Sequence, residues 1–179
     1  MKAFWALFWS VCQMRRAPAD VPWSLPLLAL VALLNISLAI ATQFLGGSVQ
    51  PIPAVATVFV AAVLDVAGYG LLLAFKRQEL QYVQGLTATW GADLVLGLFA
   101  LPLALAGRLA GTESPLLGVV VFGQMLLVGW NLGVRGFIYH RSAHVGIFQG
   151  NMLALTLFLL NVFIAFRLFP ELFAAPGAR

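Results

Sequence analysis

The chain has 179 residues, of which 62% are hydrophobic and only 9% are charged. A soluble domain carries about 25% charged residues. This composition therefore excludes a soluble globular domain and predicts one membrane domain over residues 1–179. We assign the net charge of +4 to basic residues at helix ends that meet anionic lipid, and expect no nucleic-acid binding.

The first 20 residues are predicted to form an interfacial helix and a cytoplasmic segment. Residues 1–14 are apolar but too short to cross a bilayer, and Arg15 and Arg16 follow directly. Four aromatic side chains in this run suit a helix lying at headgroup depth: Phe4, Trp5, Phe8 and Trp9. A signal peptide is the alternative, since Lys2 precedes the apolar run, but no small-residue cleavage site follows cleanly.

Five further stretches have the roughly 20 apolar residues that a transmembrane helix needs. They cover residues 25–45, 52–75, 86–106, 115–138 and 146–169. Pro51, Pro53 and Pro115 suit the first turn of a helix, whereas Pro102 lies within the third span and is expected to kink it or end it early. The predicted fold is all-α and polytopic, with five transmembrane helices plus the N-terminal interfacial helix.

The distribution of Lys and Arg predicts the orientation, because cytoplasmic segments carry the excess of positive charge. With the N-terminus inside, one side of the membrane holds Lys2, Arg15, Arg16, Lys76, Arg77, Arg135 and Arg141, and the other holds Arg108, Arg167 and Arg179. The N-terminus is therefore predicted to be cytoplasmic and the C-terminus, after five spans, periplasmic.

Polar residues in three of the spans are predicted to form one intramembrane cluster. Asp65 lies in the second span and Asp93 in the third, both about 10–15 Å from the cytoplasmic boundary at 1.5 Å per residue. Asn131 and Arg135 are one helical turn apart near the end of the fourth span. Three roles stay open: a proton or cation site with two coupled carboxylates, a contact that holds the helices together, or a contact of Asp65 with a partner protein.

Two further kinds of residue predict contacts between the helices. Small residues spaced by four, Gly129 with Gly133 and Gly146 with Gly150, indicate close packing of the fourth and fifth spans. Four amide side chains are expected to form interhelical hydrogen bonds: Asn35, Gln124, Asn151 and Asn161.

The sequence holds no catalytic motif and no metal site that we recognise, and we expect no cofactor. His140 and His144 have a spacing that suits a metal on a helix, but no third ligand is evident and they fall in a basic turn. The single cysteine, Cys12, cannot form an intramolecular disulfide.

Three stretches of the chain carry a resemblance to a known family. They are "RRAPADVPWSLPLLAL", "KRQELQYVQGLTATWGADLVLGLFALPLAL" and "WNLGVRGFIYHRSA" followed by "GIFQGNMLAL". With five spans and very short loops, the chain resembles the Yip1-like membrane proteins, and is most similar to an uncharacterised proteobacterial branch. The resemblance implies a non-enzymatic scaffold or adaptor in the bacterial inner membrane. The Asp-Leu-x-Gly-Pro-type motif of the eukaryotic members is absent, so no functional residue is carried over.

Two functions are predicted from these observations. The first is a non-catalytic scaffold, assembly factor or accessory subunit of a membrane complex, which acts through a protein partner or as a homo-oligomer in the lipid bilayer. The alternative is a small oligomeric transporter, coupled to protons or another cation, that uses Asp65 and Asp93. An enzyme that acts on a lipid through His140, His144 or the carboxylates is a third possibility, and no substrate for it is evident.

Overall fold

The computed structural model describes residues 2–46, 50–110 and 114–170, and it is helical throughout these ranges apart from short turns. The helices are α1 (Lys2–Cys12), α2 (Leu25–Leu45), α3 (Pro51–Lys76), α4 (Tyr82–Leu109), α5 (Pro115–Ala143) and α6 (Ile147–Leu168). Single 3₁₀ turns precede α2 and α4, at Pro18–Asp20 and Glu79–Gln81. Five of the helices, α2 to α6, are long and apolar enough to cross a membrane. The prediction of a multi-pass helical membrane protein is therefore confirmed.

The helix ends follow local sequence signals, with two differences from the prediction. The Ser24 hydroxyl accepts a hydrogen bond from the Leu27 amide at the start of α2, at 3.3 Å. The helix α4 continues through Pro102 to Leu109, so of the two outcomes expected for Pro102 an early end of the span is excluded. The helix α5 continues to Ala143, so the predicted basic turn is mostly helical and the chain reverses only at His144, which has a positive φ of 53°.

The five long helices form a ring. Helix α4 packs against α2 and α5, α5 packs against α6, and α3 closes the ring between α6 and α2. The face at which α3 and α5 end and α2, α4 and α6 begin is called the proximal face below, and the opposite face is called the distal face. Helix α3 touches α4 and α5 on the proximal side through Tyr69 and Tyr82: Tyr69 lies against Gly85 and stacks on Tyr139, and the Tyr82 hydroxyl donates to the Val66 carbonyl.

The N-terminal helix α1 packs on the ring through one face. Phe8, Val11 and Cys12 have no exposed surface, and the Phe8 ring lies directly against Gly91 of α4. The Trp130 indole donates a hydrogen bond to the Cys12 carbonyl at 2.9 Å. Phe8 is therefore buried in the bundle, whereas Trp5 and Trp9 on the other face of α1 are more than one third exposed.

The glycines predicted to pack helices together lie in different settings. Gly150 is at the crossing of α6 with α5, where an added Cβ would lie 2.3 Å from the Gly136 carbonyl oxygen. Gly133 faces Met14 rather than α6, and Gly146 is the N-cap of α6. Gly129 has nothing within 4 Å among the described residues, so the packing prediction for it is wrong. On α5, the tight contact with Gly150 is made by Gly136, three residues after Gly133.

The contact between α1 and α4 is testable through the only cysteine in the chain. Burial raises the pKa of the Cys12 thiol to about 12, with a further contribution from the nearby Asp93 carboxylate. Because the thiolate is the reactive form, we expect maleimide to label Cys12 only very slowly in the folded protein at neutral pH and readily after denaturation. In Gly91→Ala, an added Cβ would lie 2.1 Å from the Phe8 ring, so α1 must shift and labelling should accelerate.

Gly129→Ala is the matched control, because it adds the same methyl group to a helix at a position with open space. Its labelling rate should equal that of the wild type. Fast labelling of the folded wild-type protein would contradict the packing of α1 on α4.

Candidate intramembrane binding site

The four residues of the predicted polar cluster lie deep inside their helices. Asp65 is eleven residues before the end of α3, and Asp93 is eleven residues after the start of α4. Arg135 is eight residues before the end of α5, because that helix is longer than predicted. At 1.5 Å per residue these positions are about 12–17 Å from the proximal helix ends. Arg135 is therefore not in the last helical turn, and its side chain points inward instead of to the membrane surface.

Arg135 makes a two-point contact with Asp65 across the α3–α5 boundary. Its Nη1 donates to Asp65 Oδ1 at 2.6 Å, and its Nη2 donates to Asp65 Oδ2 at 2.9 Å. A planar guanidinium fork matches the two oxygens of a carboxylate, and such paired bonds are among the strongest in proteins. This contact fixes the rotation of α3 relative to α5.

The same guanidinium also binds Asp93 of α4. Arg135 Nη2 donates to Asp93 Oδ2 at 2.6 Å, and Nε approaches Asp93 Oδ1 at 3.4 Å. The Asn131 side-chain amide donates to Asp93 Oδ1 at 2.6 Å. The structure thus brings all four predicted residues together, and the name ion network is used below for Asp65, Asp93, Asn131 and Arg135.

The ion network carries one negative charge in excess when both carboxylates are ionised, since a single guanidinium faces two of them. The side chains of Asp65, Asp93 and Arg135 are 16%, 12% and 18% exposed. A charged side chain at the centre of a bilayer costs about 2.5–3.5 kcal/mol on insertion scales. The excess negative charge therefore lies in a setting where an isolated charge is costly, next to one guanidinium that is already shared between two carboxylates.

Three tyrosines close the proximal side of the ion network. The Tyr69 ring lies between the rings of Tyr139 and Tyr82, with centroid separations of 5.6 and 6.0 Å. Tyr139 also faces Arg135. Tyr69 is four residues after Asp65 and Tyr139 is four residues after Arg135, so each shares a helix face with a member of the network. This spacing is a signal in the sequence that our prediction missed.

Two buried hydroxyl groups lie beside this tyrosine stack. The Tyr69 hydroxyl faces Ser142 Oγ, but both oxygens are buried without a hydrogen-bond partner among the described residues. Buried polar atoms in proteins are normally satisfied by the protein or by ordered water. These two hydroxyls are therefore buried polar groups at the closed, proximal side of the ion network.

A cavity of about 920 Å³ lies on the distal side of the ion network. All five long helices line it, and it extends along the ring from Asp65, Asp93 and Arg135 to Gly46 at the end of α2. Gly107 of α4 and Leu117 of α5 lie at the same distal end. The ring of helices is therefore closed by tyrosines on one side of the ion network and hollow on the other.

Three amide side chains face this cavity instead of bonding between helices. Asn35, Gln124 and Asn161 line it from α2, α5 and α6, and within the described ranges none of them forms a side-chain hydrogen bond. The prediction that they are interhelical hydrogen bonders is therefore wrong for these three. The fourth, Asn151, lies at the α5–α6 crossing against Gly136, with its Oδ1 buried and unpaired in the described part of the chain.

The two histidines do not form a metal site with their neighbours. His140 Nδ1 contacts the Val145 carbonyl, which fixes the turn between α5 and α6. His144 occupies the left-handed position that ends α5. Among residues 2–46, 50–110 and 114–170, no group of three His, Cys, Asp or Glu side chains is placed to hold a metal ion.

Comparison with known proteins gives no relative from which a role could be transferred. The chain matches no family model, no curated protein and no solved structure.

The geometry of the guanidinium predicts the effect of a conservative change. A lysine ammonium cannot form paired bonds with two carboxylates at once. Arg135→Lys is therefore expected to lower the stability by about 1–3 kcal/mol and to reduce the melting temperature in detergent by several degrees. Arg167→Lys is the matched control, because Arg167 is exposed near the end of α6 and is found against the Phe163 ring. Equal melting temperatures for the two variants would contradict the bridging role of Arg135.

Proposed function

We propose that this protein is a small transporter that binds a cation in its central cavity and exchanges it for a proton at Asp65 and Asp93. One observation carries the proposal: a cavity lined by all five long helices ends at a network with an excess carboxylate. A network built only to hold helices together needs neither the cavity nor the second carboxylate.

The chemistry of the exchange follows from the charge of the ion network. With both carboxylates ionised the network attracts a cation, and with one of them protonated it is neutral. A proton and a cation therefore compete for the same negative charge. The two carboxylates share one guanidinium, so a proton or a cation bound at one of them changes the charge that the other one faces.

The position of the tyrosine stack defines what must move during transport. The cavity extends toward the distal face, and Tyr69, Tyr82 and Tyr139 block the way to the proximal face. Release on the proximal side requires α3 to separate from α4 and α5 at these rings. The Asp65–Arg135 contact also joins α3 to α5, so a motion of α3 has to loosen that contact as well as the ring stack.

The orientation that we propose uses the charges outside the membrane. Arg135 does not count as a loop charge, because it lies inside the bundle. The proximal end still holds the larger number of basic residues, at Arg15, Arg16, Lys76, Arg77 and Arg141, so we place it in the cytoplasm. On this placement the cavity extends toward the periplasm of a bacterial inner membrane.

The scaffold role implied by the Yip1-like resemblance stays a prediction, as does the presence of a protein partner or a homo-oligomer. The cavity lies within one chain, so transport does not require a second copy to complete the site. A scaffold that acts through partners gives no role to the cavity, and it predicts no ion movement by the purified protein.

Transport is testable in proteoliposomes that contain a pH-sensitive dye. After the lumen is acidified, addition of a monovalent cation outside should cause protons to leave faster than from protein-free liposomes. We expect Asp65→Asn and Asp93→Asn to remove this flux, because each eliminates the excess negative charge. A panel of Na⁺, K⁺ and alkylammonium ions covers the possible substrates.

Asp20→Asn is the matched control, since Asp20 is exposed on the N-terminal segment, where it accepts a hydrogen bond from the Ala17 amide. Its flux should equal that of the wild type. Size-exclusion profiles must show that all three variants remain folded. Fluxes of the Asp65 and Asp93 variants equal to that of the wild type would rule out the proposal.

A further inference from the structure

The cavity is much larger than an inorganic ion. Its volume of about 920 Å³ is at the upper end of the range of about 300–1,000 Å³ for sites that hold drug-sized organic molecules. The ion network occupies one end of this space, and the rest is bounded by side chains of all five long helices. A bare Na⁺ or K⁺ would leave most of the cavity without a role.

The charge at the closed end of the cavity selects a cation over an anion. Asp65, Asp93 and Arg135 are the charged side chains among the described lining residues, and carboxylates outnumber the guanidinium. Arg135 already directs four contacts to the two carboxylates, out of five N–H donors. It therefore has little capacity to bind an incoming anion.

The walls of the cavity suit an apolar body. Most of the lining side chains are aliphatic, and Trp90 of α4 and Phe158 of α6 add two aromatic rings. Aromatic faces attract organic cations as well as apolar groups. The amides of Asn35, Gln124 and Asn161, which have no partner within the described residues, supply separate hydrogen-bonding points along the walls.

From the charge, the volume and the lining together, we infer that the substrate is a monovalent organic cation with an apolar body, such as an amine or a quaternary onium compound. Its charged group lies at Asp65 and Asp93, and its apolar part extends toward the distal face between α2, α4, α5 and α6. This inference rests on the proposed function and names the class of substrate for the same site.

The inference requires a dependence on pH with a definite sign. Protonation of the ion network removes the excess negative charge, so the affinity for the cation must fall as the pH is lowered. The titratable or charged groups that face the two carboxylates are Arg135 and Tyr139 of α5 and Cys12 of α1. Helices α2 and α6 add no charged side chain to the described lining.

The test compares two probes of nearly the same size that differ in charge. Binding of methyltriphenylphosphonium and of neutral triphenylphosphine oxide to the purified protein in detergent is measured by equilibrium dialysis. The cation should bind at least about tenfold more tightly, since the uncompensated charge has a large effect in a low-dielectric site. This preference should disappear in Asp65→Asn and Asp93→Asn, and it should persist in Asp20→Asn.

Equal binding of the two probes to the wild-type protein, or no binding of either, would overturn the inference without reliance on any variant. A preference for the cation that does not weaken as the pH is lowered would overturn it as well. The proteoliposome assay is independent of this result. Proton flux driven by Na⁺ or K⁺, with no binding of the phosphonium, would support the transporter proposal and rule out only the inference of an organic substrate.

Discussion

The guanidinium of Arg135 holds three helices of the bundle in register. It binds Asp65 of α3 and Asp93 of α4 from its place on α5, so one side chain joins three of the five spans. In lipid there is little hydrophobic force between helices, and polar contacts of this kind decide which faces meet. Close contact of α3 with α4 and α5 is found on the proximal side, at Tyr69 and its ring neighbours. The cavity lies where such contacts are missing.

In the proposed function, the charge balance of the ion network connects the stability of the bundle with transport. One cation between two carboxylates holds the helices in place and still leaves a negative charge. If one of the two carboxylates were replaced by a neutral side chain, the helices would still be in contact, but the site would have no excess charge with which to bind and release a cation. The cavity next to it, with amides on three helices, supplies a volume in which a bound cation can be surrounded. The proposed exchange and the proposed substrate class both follow from this arrangement.

The sequence predicted the helices and the cluster better than it predicted the packing. Long apolar runs with prolines at their starts determine the spans, and charged residues within such runs are costly enough to indicate a shared site. The cavity was not predictable, because Asn35, Gln124 and Asn161 look the same in sequence whether they face a neighbouring helix or a space. Gly129 and Gly136 both stand among mostly apolar residues in the sequence. Only the crossing of α5 with α6 brings Gly136 into contact with Gly150.

A double-mutant cycle on Asp65 and Arg135 tests the bridge most directly. The free energy of unfolding is measured in mixed micelles for the wild type, Asp65→Asn, Arg135→Gln and the double variant. We predict a coupling free energy of about 1 kcal/mol or more between the two substitutions. Asp65→Asn should cost less in the Arg135→Gln background, because Asp65 has already lost its partner there. The same cycle on Asp65 and the exposed Arg167 should be additive. Additivity within about 0.3–0.5 kcal/mol for Asp65 and Arg135 would show that this ion pair does not hold α3 to α5.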